Sequence, residues 1–169
     1  MESSLSETIA RDFADELAQG LSRIKHCVDQ LSDEQIWWRP SDAMNSVGNL
    51  MLHLSGNVRQ WIVAGVGGAK DDRQRQKEFD ERGPIPKTAL LQKLETTVAE
   101  ATAALGKPTA DDWQRVRNVQ GFQVSGFAAA LHSISHFRGH QQEIVNLTRT
   151  QLGDRYRFAF VPSTKEQGA

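Results

Sequence analysis

Four stretches of this chain put an apolar residue at every third or fourth position, the spacing that gathers apolar side chains on one helical face and leaves that face needing cover. The first runs from Ser4 to about Leu31 through Leu5, Ile9, Phe13, Leu17, Leu21, Ile24, Val28 and Leu31. The second, with Ser46 placed to cap it, carries Val47, Leu50, Leu54, Val58, Trp61 and Ile62 until Gly65, Gly67 and Gly68 stop it. The third uses Leu90, Leu91, Leu94, Val98, Ala101 and Leu105, from about Lys87 to the terminating Gly106 and Pro108. The fourth starts at a Ser125 cap and reaches Gly153. Four long stripes without a convincing sheet predict an all-α four-helix bundle, and the length of the segments between them predicts crossover connections rather than tight hairpins.

Those segments are polar. Ser32-Asp33-Glu34-Gln35 has the form of a capping box and opens a short turn that Pro40 ends. AKDDRQRQKEFDERGPIP reads as a charged connection with room for one short solvated helix, and DDWQRVRNVQGFQVSG as a connection lying extended across the end of the bundle. Tyr156, Phe158 and Phe160 alternate with Arg155, Arg157 and Ala159, the pattern of a short edge strand or a docked tail. A chain of 169 residues supports one domain, here residues 1–153, followed by a tail of residues 154–169.

Charge and cysteine content narrow the partners. With 20 Lys and Arg against 21 Asp and Glu, nothing draws the chain to a nucleic acid or an anionic membrane. No apolar run approaches the roughly 18 residues of a spanning helix. Cys27 is the single cysteine and makes no intramolecular disulfide, and MESSLSETIARDF lacks a basic start followed by an apolar core, so the expected setting is the reducing cytoplasm.

The chemistry sits in the histidines. His132, His136 and His140 follow one another at four-residue steps in LHSISHFRGHQQEI, which on a helix sets them about 40° apart on one face, with Glu143 falling back beside His136. Histidines at i and i+4 can offer two nitrogens to one metal ion, and a stable site takes a third ligand from elsewhere. His53, mid-way along the second run beside a stripe of Ser46, Asn49, Asn57 and Gln60, is the best candidate. His26 and Cys27 have no partners in register and read as structural. Trp37, Trp38, Trp61 and Trp113 read as packing residues. Paired Glu-x-x-His motifs, HExxH, a phosphate-binding glycine loop and GxSxG are all missing from the sequence, which leaves a nitrogen-ligated metal as the catalytic idea.

LSDEQIWWRPSDAMNSVGNLMLHLSGNVRQWI, DDRQRQKEFDER, VQGFQVS and HSISHFRGHQQEI together make the chain resemble the DinB/YfiT-like superfamily of metal-binding four-helix bundles, in its branch of small bacterial proteins of unknown function. The resemblance implies one metal-ligand histidine on the second helix, matching His53, and a His-x-x-x-His pair on the fourth, matching His136 and His140. His132 matches an additional histidine one turn earlier and, in a shifted register, would pair with His136 instead. Glu143 stands where relatives carry Gln, which makes it a candidate acid or base behind the ligands, and Gly139 replaces an aromatic or a further histidine. The resemblance further implies a metal-dependent thiol transferase or isomerase. Three neutral imidazoles leave a coordination position for water or thiolate, and they suit zinc and nickel equally.

Two readings follow. In one the protein is an enzyme in which a metal-activated thiolate or hydroxide attacks a small electrophile, with Arg73, Arg75, Arg138 and Arg155 available for a carboxylate or phosphate on thiol or substrate. In the other it is a non-catalytic, stress-related homodimer whose ion staples the second helix to the fourth. A homodimer is expected in either case, because the fourth run carries Phe127, Leu131, Ile134, Val145 and Leu152 together with Phe137, Ile144 and Leu147, a wide apolar arc.

Overall fold

The structure is a computed structural model and describes residues 4–160. Each long apolar run forms a helix, the first, second and fourth starting at a serine cap and the third starting behind Pro86. The helix α1 (Leu5–Val28) starts at a Ser4 capping box, in which the Glu7 amide donates to Ser4 Oγ and the Ser4 amide to the Glu7 carboxylate. A single turn, α2 (Asp33–Trp37), follows a second capping box at Ser32 and Gln35. The helix α3 (Val47–Val58) begins at Ser46, whose Oγ accepts the Asn49 amide at 3.1 Å, and continues as a π-helical stretch over Arg59–Ala64. There the amides of Gly65 and Gly67 reach back five residues to the Gln60 and Ile62 carbonyls, and a Cβ at Gly65 would overlap the Trp61 carbonyl oxygen.

The charged connection holds α4 (Arg75–Asp80), and α5 (Lys87–Leu105) is the third long helix. The next segment is more ordered than its sequence predicts. It contains the short helix α6 (Ala110–Gln114) and an antiparallel hairpin of β1 (Val116–Val119) and β2 (Phe122–Ser125), which pairs Val116 with Ser125 and Val119 with Phe122. Both residues of its two-residue turn have positive φ, Gln120 at 54° and Gly121 at 86°, the requirement of the tight hairpin turn that follows the twist of the strands. The helix α7 (Gly126–Leu152), capped by Ser125, completes the bundle and passes into a 3₁₀ turn at Gly153–Arg155.

The packing order is cyclic: α1 lies against α7, α7 against α3, α3 against α5, and α5 against α1. Consecutive long helices α1 and α3 are therefore diagonal, which is why their connection is long. Leu17, Ile24, Ile36, Leu50, Leu54, Leu94, Leu105, Phe137 and Ile144 fill the centre. At the closest approach of α1 to α7, a Cβ on Gly20 would come within 2.8 Å of the Phe137 ring.

This packing absorbs most of the arc assigned to a dimer contact. Ile134, Phe137, Ile144, Leu147 and Leu152 are buried, because α7 has α1 on one side and α3 on the other, whereas Phe127 and Leu131 remain 39 % and 45 % exposed. After the 3₁₀ turn the described part of the tail is docked without forming a strand: the Arg157 carbonyl accepts His26 Nε2 at 2.6 Å, and Gln30 Oε1 accepts the Arg157 amide at 2.7 Å. His26 is thus a structural residue. The STKEQGA end of the tail falls outside the described residues. No described helix is long and apolar enough to cross a membrane.

Candidate metal centre

The α3 and α7 helices meet at the histidines. His53, 3 % exposed, projects from the middle of α3, and its Nε2 lies 2.8 Å from Nε2 of His136 on α7. His140, one turn further along α7, completes a cluster in which one nitrogen from each of the three residues lies within 4.8 Å of the others. At 2.8 Å two bare nitrogen lone pairs repel, so the arrangement calls for a proton or, with slight widening, a cation between them. Nitrogens bound at 2.0–2.1 Å to a tetrahedral zinc ion would sit roughly 3.3 Å apart, a spacing the cluster brackets. The residues therefore fit a divalent ion. His132 stays outside the cluster. It is exposed and lies against Trp61, with ring centroids 4.1 Å apart and the planes tilted by 37°.

Two of the three imidazoles are held from behind by carboxylates. His140 Nδ1 lies 2.7 Å from Glu143 Oε2, one helical turn along α7, so Glu143 serves His140 and not His136. His53 Nδ1 lies 2.9 Å from Glu78 Oε2, and Glu78 comes from α4 in the charged connection. Arg73 also approaches His53 Nδ1, at 3.2 Å, but its guanidinium already grips both Glu78 oxygens, at 2.7 Å and 2.8 Å. With the cation committed to the carboxylate, the His53 Nδ1 proton goes to Glu78 and leaves Nε2 bare toward the cluster.

Glu78 is itself tied down. Asn49 Nδ2 donates to the Glu78 and Glu81 carbonyls, Arg39 donates to Asn49 Oδ1 at 2.6 Å, and Arg73 Nη1 donates to Gln60 Oε1 at 2.9 Å. A side chain at Gly56 would overlap the Glu78 carboxylate, so this glycine inside a helix makes the room the carboxylate occupies. The polar stripe beside His53 is accordingly a bonded network: Asn57 Oδ1 accepts Ser133 Oγ at 2.9 Å, and Asn49 and Gln60 hold the Glu78–Arg73 pair. Phe79 covers the His53 ring at 4.8 Å.

Electrostatics follow from this enclosure. Burial, then the neighbouring His140, His53, His132 and Arg73, push His136 down to about 4, so its imidazole is neutral and able to ligate at ordinary pH. Burial alone would raise the Glu78 carboxyl, but hydrogen bonds from Arg73 and His53 outweigh it and hold Glu78 below the ordinary carboxylate value. The Glu78–Arg73 pair stays charged.

Of the arginines assigned to a substrate anion, Arg73 is consumed by Glu78 and is 5 % exposed, and Arg75 lies over the Phe79 ring. Arg138 pairs with Glu16 on α1 at 3.4 Å, and Arg155 lies in the exposed 3₁₀ turn. A cleft of about 570 Å³ between α3, α4 and α5 touches Glu78 and Arg73, but none of the three clustered histidines lines it. It lies behind the carboxylate rather than in front of the ligands. Trp37 and Trp113 pack as expected, Trp37 Nε1 donating to the Ile85 carbonyl, while Trp38 is 39 % exposed. Trp61, 3 % exposed, packs in the core as well and carries the His132 ring above it. The sequence reading placed Asn49 in the stripe beside His53 but missed Glu78, whose backbone Asn49 holds; the signal for Glu78 was Gly56, a glycine in a strong helical run where no turn occurs.

Residues 6–165 match the family model of DUF1572, described as a protein of unknown function. The chain belongs to the DUF1572 family. Its fold is that of the DinB-like proteins: it aligns with a conserved protein from Enterococcus faecalis at a TM-score of 0.68 and 15 % identity, covering 82 % of this chain and 94 % of the other. A DinB-like protein from Bacillus cereus aligns at 0.63 and 15 % identity, over 82 % of this chain and 90 % of that one. A mycothiol-dependent maleylpyruvate isomerase aligns at 0.62 and 14 % identity, over 80 % of this chain and 60 % of the isomerase. No curated protein sequence matches the chain.

Proposed function

We propose that this DUF1572 protein is a metal-dependent thiol transferase that works on a small electrophilic molecule. The observation that carries the reading is the convergence of His53, His136 and His140 within 4.8 Å, with carboxylates behind His53 and His140. The fold shared with a mycothiol-dependent isomerase supports a thiol as the co-substrate. A divalent ion on these three nitrogens, zinc or nickel, would supply an electropositive position at which a thiol ionises near neutral pH.

The chain's own residues prepare that position. Glu78 and Glu143 fix the rings of His53 and His140, so that little ordering remains to be done on ligation. His136 presents a neutral nitrogen. The exposed His132 ring, seated over the buried Trp61, is the aromatic group next to the cluster that can meet the apolar part of an electrophile. An ion held by the same three residues would also make water more acidic, the chemistry a hydrolase needs when no thiol is supplied. The buried, unbridged Cys27 suits a cytoplasmic protein.

The second reading, a non-catalytic metal-binding homodimer, draws on the apolar surface left at Leu131 and at Phe127, which shares a cleft with Leu5, itself 76 % exposed. One experiment separates the two. Zinc- or nickel-loaded protein is mixed with low-molecular-weight thiols and with a haloaromatic or epoxide electrophile. The expected result is product formation that needs both metal and thiol and disappears in His136→Ala. A panel without metal-dependent turnover, together with thiols that leave the nickel absorption spectrum unchanged, would overturn the transferase reading in favour of the binding protein. Light scattering reports the dimer separately: a mass near 18.8 kDa at micromolar concentration counts against it.

A further inference from the structure

The α7 helix turns a second polar face toward α1. Between that face, α1 and the docked tail lies a cavity of about 300 Å³, lined by Arg23 of α1, by Arg138, Gln141 and Arg149 of α7, and by Phe158 and Phe160 of the tail. Three guanidinium groups share this small space. Among the described residues one carboxylate answers them, Glu16, which lies 3.4 Å from Arg138. Arg23 and Arg149 have no acidic partner among the described residues; Arg23 lies 4.4 Å over the Phe160 ring, and Arg149 lies 5.9 Å and 5.2 Å over the Tyr156 and Phe158 rings.

Two further groups wait without partners in the same place. Gln141 is 5 % exposed and lines the cavity, yet its side-chain amide makes no hydrogen bond among the described residues. Arg138 Nη1 is buried and unpaired as well. A buried guanidinium N–H without an acceptor costs stability, and crowding three cations around one cavity adds to that cost. An anion with several acceptor oxygens removes all of these penalties together. Guanidinium forks match phosphate oxygens, aromatic rings beneath Arg23 and Arg149 orient the forks, and the Gln141 amide adds a neutral donor.

We propose that this cavity is a binding site for a small phosphate-bearing molecule, built independently of the histidine cluster on the opposite face of α7. The volume is at the low end for ligand sites, which favours a phosphomonoester or diphosphate of few further atoms over a nucleotide. The test uses inorganic phosphate and pyrophosphate as probes, with succinate as the carboxylate arm, on the full-length protein at physiological ionic strength. Phosphorus NMR line broadening and calorimetry read the binding, and circular dichroism checks each variant's fold.

Phosphate or pyrophosphate is expected to bind, Arg149→Gln and Arg23→Gln each to weaken it by about tenfold or more, and Gln141→Leu by several-fold, the scale of one lost charge-assisted or neutral hydrogen bond. His53→Ala should leave phosphate binding unchanged, which keeps this result separate from the metal-centre reading. The proposal is overturned if neither phosphate probe binds, if succinate binds and phosphate does not, if folded Arg149→Gln and Arg23→Gln bind as well as the parent, or if His53→Ala removes the binding.

Discussion

His53 and His140 look alike from the cluster, each an imidazole with a carboxylate on Nδ1, yet the two supports are built on different principles. Glu143 is one turn from His140 on α7, and its carboxylate, 38 % exposed, is held by the helix alone. Glu78 is 25 residues from His53, its carboxylate is 11 % exposed, and it is gripped by Arg73 while its own backbone is pinned by Asn49. The local support is simple and wet; the distant one is enclosed and costs more to disturb. Losing the partner of a buried charge leaves the other charge unsatisfied, whereas water replaces a lost partner at the surface.

The largest expected effect removes the ligand itself. His53→Ala and His140→Ala should each empty the site of its one divalent ion per chain by elemental analysis, and His132→Ala should keep it full. The reverse outcome, with His132→Ala empty and His140→Ala full, would move the pair to His132 and His136.

Next comes the buried support. Glu78→Gln keeps the shape but removes the charge, and metal affinity measured by competition with a chelator should fall by roughly 10–100-fold. Gly56→Ala should do the same without touching any polar group, since the new methyl takes the space of the Glu78 carboxylate. An unchanged affinity in both would mean that Glu78 is not what fixes His53.

Acid should then discriminate between folded and unfolded chains. His136 in the folded, chelator-treated protein titrates at about 4 against an ordinary 6.5, so the unfolded chain takes up this proton first. Its contribution to stability is therefore lost progressively as pH falls from about 6.5 toward 4. Glu78, held below its ordinary 4.5, extends the loss at lower pH, because the unfolded carboxyl protonates before the folded one. Urea melts from neutral pH downward measure this, and a flat midpoint across that window would refute the enclosure of His136.

The smallest effect belongs to the exposed support. Glu143→Gln should change metal affinity only a few-fold, since the amide oxygen can still accept from His140 Nδ1 and water reaches the site. If Glu143→Gln proves as damaging as Glu78→Gln, the contrast between the two supports fails.

Local spacing made much of this molecule readable. The apolar steps that place Leu17, Leu50, Leu94 and Ile144 in the core follow from helical geometry, as do the Ser46 and Ser125 caps, because each depends on residues within one or two turns of one another. The His132, His136 and His140 row was visible for the same reason. The β1–β2 hairpin was not, since its strands are four residues each and its turn is Gln120-Gly121 in place of the Asn-Gly or Asp-Gly pair that signals such turns most strongly.

What tertiary structure alone decided lies between elements. Periodicity says which residues share a face but not which helix that face meets, so the row of three histidines could not by itself say that His136 and His140 turn to His53 while His132 turns to Trp61. Nor could it say that Glu78, one acid among many in a charged connection, folds back under Gly56 to hold His53. Sequence patterns record contacts made along the chain; a contact made across it is fixed by the cyclic packing of the α1, α7, α3 and α5 helices, which no single run encodes.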